Sequence, residues 1–166
     1  MVLFFNISLI MIKYVKKLTK VVFEEVPDEI SLAINISNCQ NRCEGCHTAE
    51  LRANIGVELS ENEIDSLIRE NKGITCFLIM GEGNDRDALI NVLKYVREKY
   101  NCLKTALYSG RESIEDDIEG LLDFVKIGPY MAEFGPLNSE NTNQRFFKIE
   151  GGDKTDLTHL FWKTLS

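Results

Sequence analysis

Apolar and polar positions alternate along the chain with two periods, and the change from one to the other marks out its elements. Residues 14–26 alternate loosely around Val15, Val21, Val22 and Phe23, which predicts one or two short strands ended by the turn signal Val26-Pro27-Asp28. Leu32-Ala-Ile-Asn-Ile36 predicts a strand that runs straight into a polar segment. Leu59-Ser60-Glu61-Asn62-Glu63-Ile64 has the composition of a helix start: Ser60 as the cap, Glu63 returning the bond, Leu59 packing on Ile64. Ile64, Leu67 and Ile68 continue one buried helical face, and Ile74 to Met80 is a continuous apolar run, as expected of a strand covered on both sides. A second amphipathic helix follows on Leu89, Val92, Leu93, Val96 and Tyr100, then a strand from Leu103 to Tyr108 closed by Ser109-Gly110. Ile114, Ile118, Leu121 and Leu122 predict a third helix, with Ser113 and Asp116 as candidate caps. Asp123 to Ile127 and Arg145 to Ile149 are further strands, residues 131–143 are a polar loop, and Asp156 to Leu165 is expected to be a short closing helix.

Strands alternating with helices argue for βαβ units and a mainly parallel sheet. A closed eight-stranded barrel takes about 250 residues, and this chain has 166. The expectation is therefore a single α/β domain built as a partial, open β/α barrel over residues 12–166. Residues 1–11 form an apolar extension, either disordered or upstream of the true start, for which Met11 is a candidate. That extension is shorter than the roughly 18 apolar residues of a membrane span, and no basic residue precedes it as in a secretory signal.

Composition narrows the function. The net charge of −7 disfavours a partner bound through phosphates, such as nucleic acid. Five cysteines, an odd number with three crowded together, point to metal or redox chemistry in a reducing, cytoplasmic setting rather than to a disulfide framework.

The crowding lies in Cys39-Gln-Asn-Arg-Cys43-Glu-Gly-Cys46-His47. Three thiolates within so few residues can converge on one soft metal or iron–sulfur group. Three cysteines on a 4Fe–4S cluster leave one iron without a protein ligand, whereas a closed zinc site wants a fourth, and His47 is the candidate for it. Gly45 lets the backbone approach a bound group closely. Cys76, inside an apolar run, and Cys102, at a helix-to-strand junction, read as structural, and His159 as a surface or packing residue. Gly81-Glu82-Gly83 ends a strand one βα unit after the cysteine loop, so both are expected on the same rim.

These motifs resemble the radical S-adenosylmethionine superfamily, of which C-x3-C-x2-C is the cluster signature. Within it the chain is similar to the anaerobic ribonucleoside-triphosphate reductase activating proteins. The resemblance runs from about Ile12 to Trp162 and is carried by Ile34-Asn-Ile-Ser-Asn-Cys39 through Cys46-His47, Tyr108-Ser-Gly110, Lys126-Ile-Gly-Pro129, Gly135-Pro-Leu-Asn-Ser139 and Thr142-Asn-Gln-Arg145. It implies a 4Fe–4S cluster on Cys39, Cys43 and Cys46, S-adenosyl-L-methionine on its open iron, and cofactor contacts from Gly45, Cys46, His47, Gly81 and Glu82. It also implies an electron donor such as flavodoxin. The product would be a 5′-deoxyadenosyl radical that takes a Cα hydrogen from a glycine of the partner reductase. The chain departs from the family where a glycine pair and an acid hold the methionine amino group: it has Met80-Gly-Glu-Gly83, and a positive φ at Glu82 would be strained. An activase for a different glycyl-radical enzyme and a non-catalytic zinc-binding interaction module are the alternatives.

Overall fold

The computed structural model describes residues 11–162, so the expected extension lies outside the described residues up to Ile10. The architecture is α/β. Seven strands form one sheet: β2 (Lys20–Val22), β3 (Ser31–Asn35), β5 (Cys76–Met80), β6 (Lys104–Tyr108), β7 (Phe124–Ile127), β8 (Arg145–Glu150) and β9 (Asp153–Asp156), neighbours in that order. The central four, β3, β5, β6 and β7, run parallel, and β2, β8 and β9 pair antiparallel at the edges. Two short strands, β1 (Lys13–Tyr14) and β4 (Val57–Glu58), make a separate pair.

Each parallel step is bridged by a helix: α1 (Glu61–Glu70), α2 (Arg86–Lys99) and α3 (Asp116–Glu119). All three lie on the same face. Ile64 of α1, Leu89, Leu93 and Val96 of α2 and Ile118 of α3 bury against Leu32, Ile34, Phe77, Ile79, Leu107 and Val125 of the sheet. The alternate residues, Ala33, Cys76, Leu78, Ala106, Phe124 and Phe146, form a second cluster on the other face, covered by Val26, Leu137, Leu157 and Phe161 rather than by a helix.

Ser60 caps α1 as expected, accepting from the Glu63 amide at 3.2 Å. Glu63 does not close the reciprocal bond. Its carboxylate instead accepts from the Tyr14 hydroxyl and from Lys16, because the buried Tyr14 ring brings its polar tip to the start of the helix. The third helix is a single turn, Asp116–Glu119, with Glu115 at its cap position and no capping side chain from Ser113 or Asp116. Among the described residues of the expected closing helix, Thr158–Phe161 is a 3-10 turn, and the segment before it, Asp153–Asp156, is strand β9, hairpinned onto β8 through Gly151 and Gly152. Two positive-φ glycines in the turn favour a hairpin over a helix. No helix among the described residues is long and apolar enough to cross a membrane.

Candidate functional site

The register of the parallel strands sets the site. Asn35, Met80, Tyr108 and Lys126 are consecutive Cα partners across β3, β5, β6 and β7, one row at the carboxyl end of the sheet. In-register residues point to one face, here the face without helices. The loop that leaves β3 after Asn35 carries the cysteines over this row. Asn38 turns the chain with φ 58°, a conformation asparagine tolerates better than most side chains. Its amide and that of Cys39 bond to Ala53 O and Leu51 O at 3.2 and 2.9 Å, which fastens the loop to the following segment. Arg52 donates to Cys43 O at 2.6 Å, and the Cys46 amide closes a turn on Cys43 O at 3.3 Å.

Cys39, Cys43 and Cys46 all line one cavity of about 220 Å³, together with Arg52, Met80, Gly81, Tyr108, Lys126, Tyr130 and Gln144. The thiols are half-buried and unbonded to one another. No group of three or more His, Cys, Asp or Glu side chains among the described residues is disposed to hold a single metal ion. The three cysteines share one cavity, with Tyr130 and Met80 in its wall. Three thiols are a donor set that would suit a soft metal or an iron–sulfur group. His47 is exposed, with its ring centroid 5.9 Å from that of Tyr130, and is not among the residues lining the cavity. Gly45 has φ 74°, and a Cβ there would sit 3.5 Å from the Tyr130 ring.

The glycine loop after β5 takes its left-handed conformations at Gly81 (φ 95°) and Gly83 (φ 67°); Glu82 has no positive φ and is not strained. Gly83 is tightly enclosed, its would-be Cβ 3.0 Å from Ile36 Cγ2. Gly81 lines the cysteine cavity, but Glu82 turns away from it. Its carboxylate accepts two bonds from Arg111, at 2.8 and 2.6 Å, and one from the Ser109 hydroxyl at 2.6 Å. It faces an adjoining cleft that shares Cys39 and Asn41 with the first. In this geometry Glu82 braces the loops after β5 and β6 against each other.

Lys126 and Gln144 were not singled out by sequence as site residues. Lys126 is 8% exposed and Gln144 6%. The Lys126 ammonium donates to Gly128 O at 3.1 Å and lies 5.6 Å from the Tyr108 ring centroid. Burial pushes its pKa down to about 8, with Cys43 acting in the opposite sense. The Gln144 side chain has no hydrogen-bond partner among the described residues. The signal available in sequence was a lysine at an inward position of the apolar run Phe124-Val-Lys-Ile127, where it cannot reach water. Cys76 sits at the far, amino end of β5, fully buried, its thiol pushed up to about 12 by burial. It is a core residue, whereas Cys102 is exposed. His159 is exposed and packs edge-on against Trp162.

No family model, curated protein or solved structure matches the chain.

Proposed function

We propose that the chain is a radical S-adenosylmethionine activating protein that installs a glycyl radical on an anaerobic ribonucleoside-triphosphate reductase. One observation carries the reading: three cysteines from one loop, at the carboxyl end of four parallel strands, line a single cavity that no carboxylate of the described residues enters. Carboxyl ends of parallel strands are where α/β folds place their chemistry. Three helical crossovers on one face, with strands added in one direction, are how β/α barrels are wound, and they support a partial barrel whose interior is the helix-free face.

In this reading Cys39, Cys43 and Cys46 hold a 4Fe–4S cluster, and Gly81 keeps its part of the cavity wall free of a side chain. The bound cluster supplies a one-electron reduction of the sulfonium of S-adenosylmethionine; the chemistry belongs to the cofactors and the chain orients them. The walls Ile36, Leu51, Met80 and Tyr130 limit water around the sulfurs. Glu82, engaged by Arg111 and Ser109, holds the rim in shape instead of taking the cofactor's amino group.

The test is anaerobic reconstitution with iron and sulfide. A brown protein that bleaches on reduction, cleaves S-adenosylmethionine and raises a glycyl-radical resonance on the reductase is the expected result. A protein that cleaves the cofactor but leaves this reductase silent would redirect the reading to another glycyl-radical partner. A colourless protein holding one tight zinc would replace it with the interaction module.

A further inference from the structure

The cysteine cavity has an unusual charge. The chain carries 26 acidic and 19 basic residues, and four other clefts on it each hold at least two carboxylates. Among the described residues the cysteine cavity holds none, and its two charged side chains, Arg52 and Lys126, are both cations. Arg52 donates to the Cys43 carbonyl and is only half-buried. Lys126 is buried: of its three N–H donors one reaches Gly128 O, the ammonium lies over the Tyr108 ring, and no carboxylate lies within ion-pairing distance among the described residues. A lysine more than nine-tenths buried without an anion is costly. Its position is explained if an anion belongs beside it, and Cys43 is the ionisable group in Coulombic range.

We propose that Lys126 is the fixed counter-charge of the anionic sulfur–metal group held by Cys39, Cys43 and Cys46, and that it sets how readily that group takes an electron. This rests on the iron–sulfur reading above. Reduction adds one electron, from a low-potential one-electron donor, and so one negative charge. A cation in a site of low dielectric stabilises the reduced form more than the oxidised one, and net charge is among the protein's levers on cluster potential. Lys126 would thus be a positioning residue that acts through charge and touches no substrate.

The experiment uses the full chain, loaded with iron and sulfide and titrated for its midpoint potential by absorbance and electron paramagnetic resonance. Lys126→Gln retains a donor toward Gly128 O without the charge, Lys126→Met removes both, and Lys126→Arg keeps the charge. With iron content equal to wild type, the neutral variants are expected to shift the reduction equilibrium about tenfold toward the oxidised form, roughly 59 mV for one electron. Lys126→Arg should stay within about threefold. Neutral variants that load iron and titrate with wild type overturn the proposal. If the neutral variants lose iron while Lys126→Arg holds it, the counter-charge role stands; if all three lose it, the lysine serves shape and the proposal falls. A wild-type protein that loads no reducible group sinks the functional reading itself, an outcome distinct from the others.

Discussion

The two faces of the sheet use the same strands for opposite ends. On the helix-covered face Leu32, Ile34, Phe77, Ile79, Leu107 and Val125 are closed under α1, α2 and α3. On the other face Ala33, Leu78, Ala106 and Phe124 make an apolar band, and the strands finish in the row Asn35, Met80, Tyr108 and Lys126. One face is mostly apolar because its work is packing, with Thr105 the buried polar residue of β6 on it, bonded to Arg97 and Leu121 O. The other changes character along the strand direction, so a cysteine at its amino end and three beyond its carboxyl end have different surroundings. Cys76 has its thiol raised to about 12; the other three look into a cavity with two cations. Position along the strand, more than residue type, separates a thiol packed in the core from thiols that line a cavity.

The sharpest way to break that contrast is to remove the thiols in turn. Replacing Cys39, Cys43 and Cys46 together with alanine should reduce bound iron after reconstitution to background, read by iron assay and visible absorbance. Cys76→Ala should keep the iron and lose stability alone. Equal iron loss in both proteins would erase the distinction. Next in size is the packing face itself. Phe77 is fully buried in the helix-covered cluster, so Phe77→Ala should cost about 3–5 kcal/mol in urea denaturation. A loss below 1 kcal/mol would mean that α2 does not close tightly over β5.

The same contrast explains what could be read from the chain beforehand. The central strands and α1 and α2 were legible because periods of two and 3.6 are imposed by burial on a covered face, and Ser60 announces its helix by a local bond. The gathering of Cys39, Cys43 and Cys46 at one cavity was legible because they are close in sequence. The row beneath it was not. Lys126, Tyr108 and Gln144 come together only through the register of β6 and β7 and the return of the chain at β8. Strand β9 was missed because Asp153-Lys-Thr-Asp156 is wholly exposed and has no apolar alternation; its pairing with β8 is carried by backbone bonds and the Gly151-Gly152 turn. The family resemblance puts Glu82 near the cofactor; the ion pair with Arg111, 29 residues away, could not be read from its neighbours in sequence.

A smaller effect would show how the rim joins the two loops above the sheet. A Cβ on Gly110 would lie 2.3 Å from Asn41 Nδ2 and 2.9 Å from its Cγ, so Gly110→Ala must displace Asn41 within the cysteine loop. Gly110 has no positive φ, so alanine restricts the unfolded chain by a favourable 0.4–1 kcal/mol or so, which offsets part of the clash. Thermal stability should stay within about 1 kcal/mol of wild type while iron loading slows severalfold. Loading at the wild-type rate would show that Asn41 does not help shape the loop.

The smallest effect belongs to the outer layer, far from the cavity. Asp65 of α1 accepts from Lys99 at 2.7 Å, from the Tyr95 hydroxyl at 2.9 Å and from the Tyr100 hydroxyl, fastening α1 to the end of α2. The Lys99 bond, then the Tyr100 bond, holds its carboxyl down at about 2, below the ordinary 3.8. A depressed carboxyl favours the folded chain above its ordinary pKa, because the unfolded chain would bind the proton first. That advantage is present at neutral pH, declines as pH falls from about 4, and is gone below about 2. Exposed ion pairs are screened by water and salt, so the change should be small and shrink further in high salt. Glu115 is also held at about 2, by Arg111, so acid sensitivity as such does not isolate Asp65; the difference between wild type and Asp65→Asn does. Urea midpoints measured between pH 5 and 2 should converge for the two proteins as pH falls. Curves that stay parallel across that window would show that the Asp65 cluster contributes no pH-dependent hold on the helices.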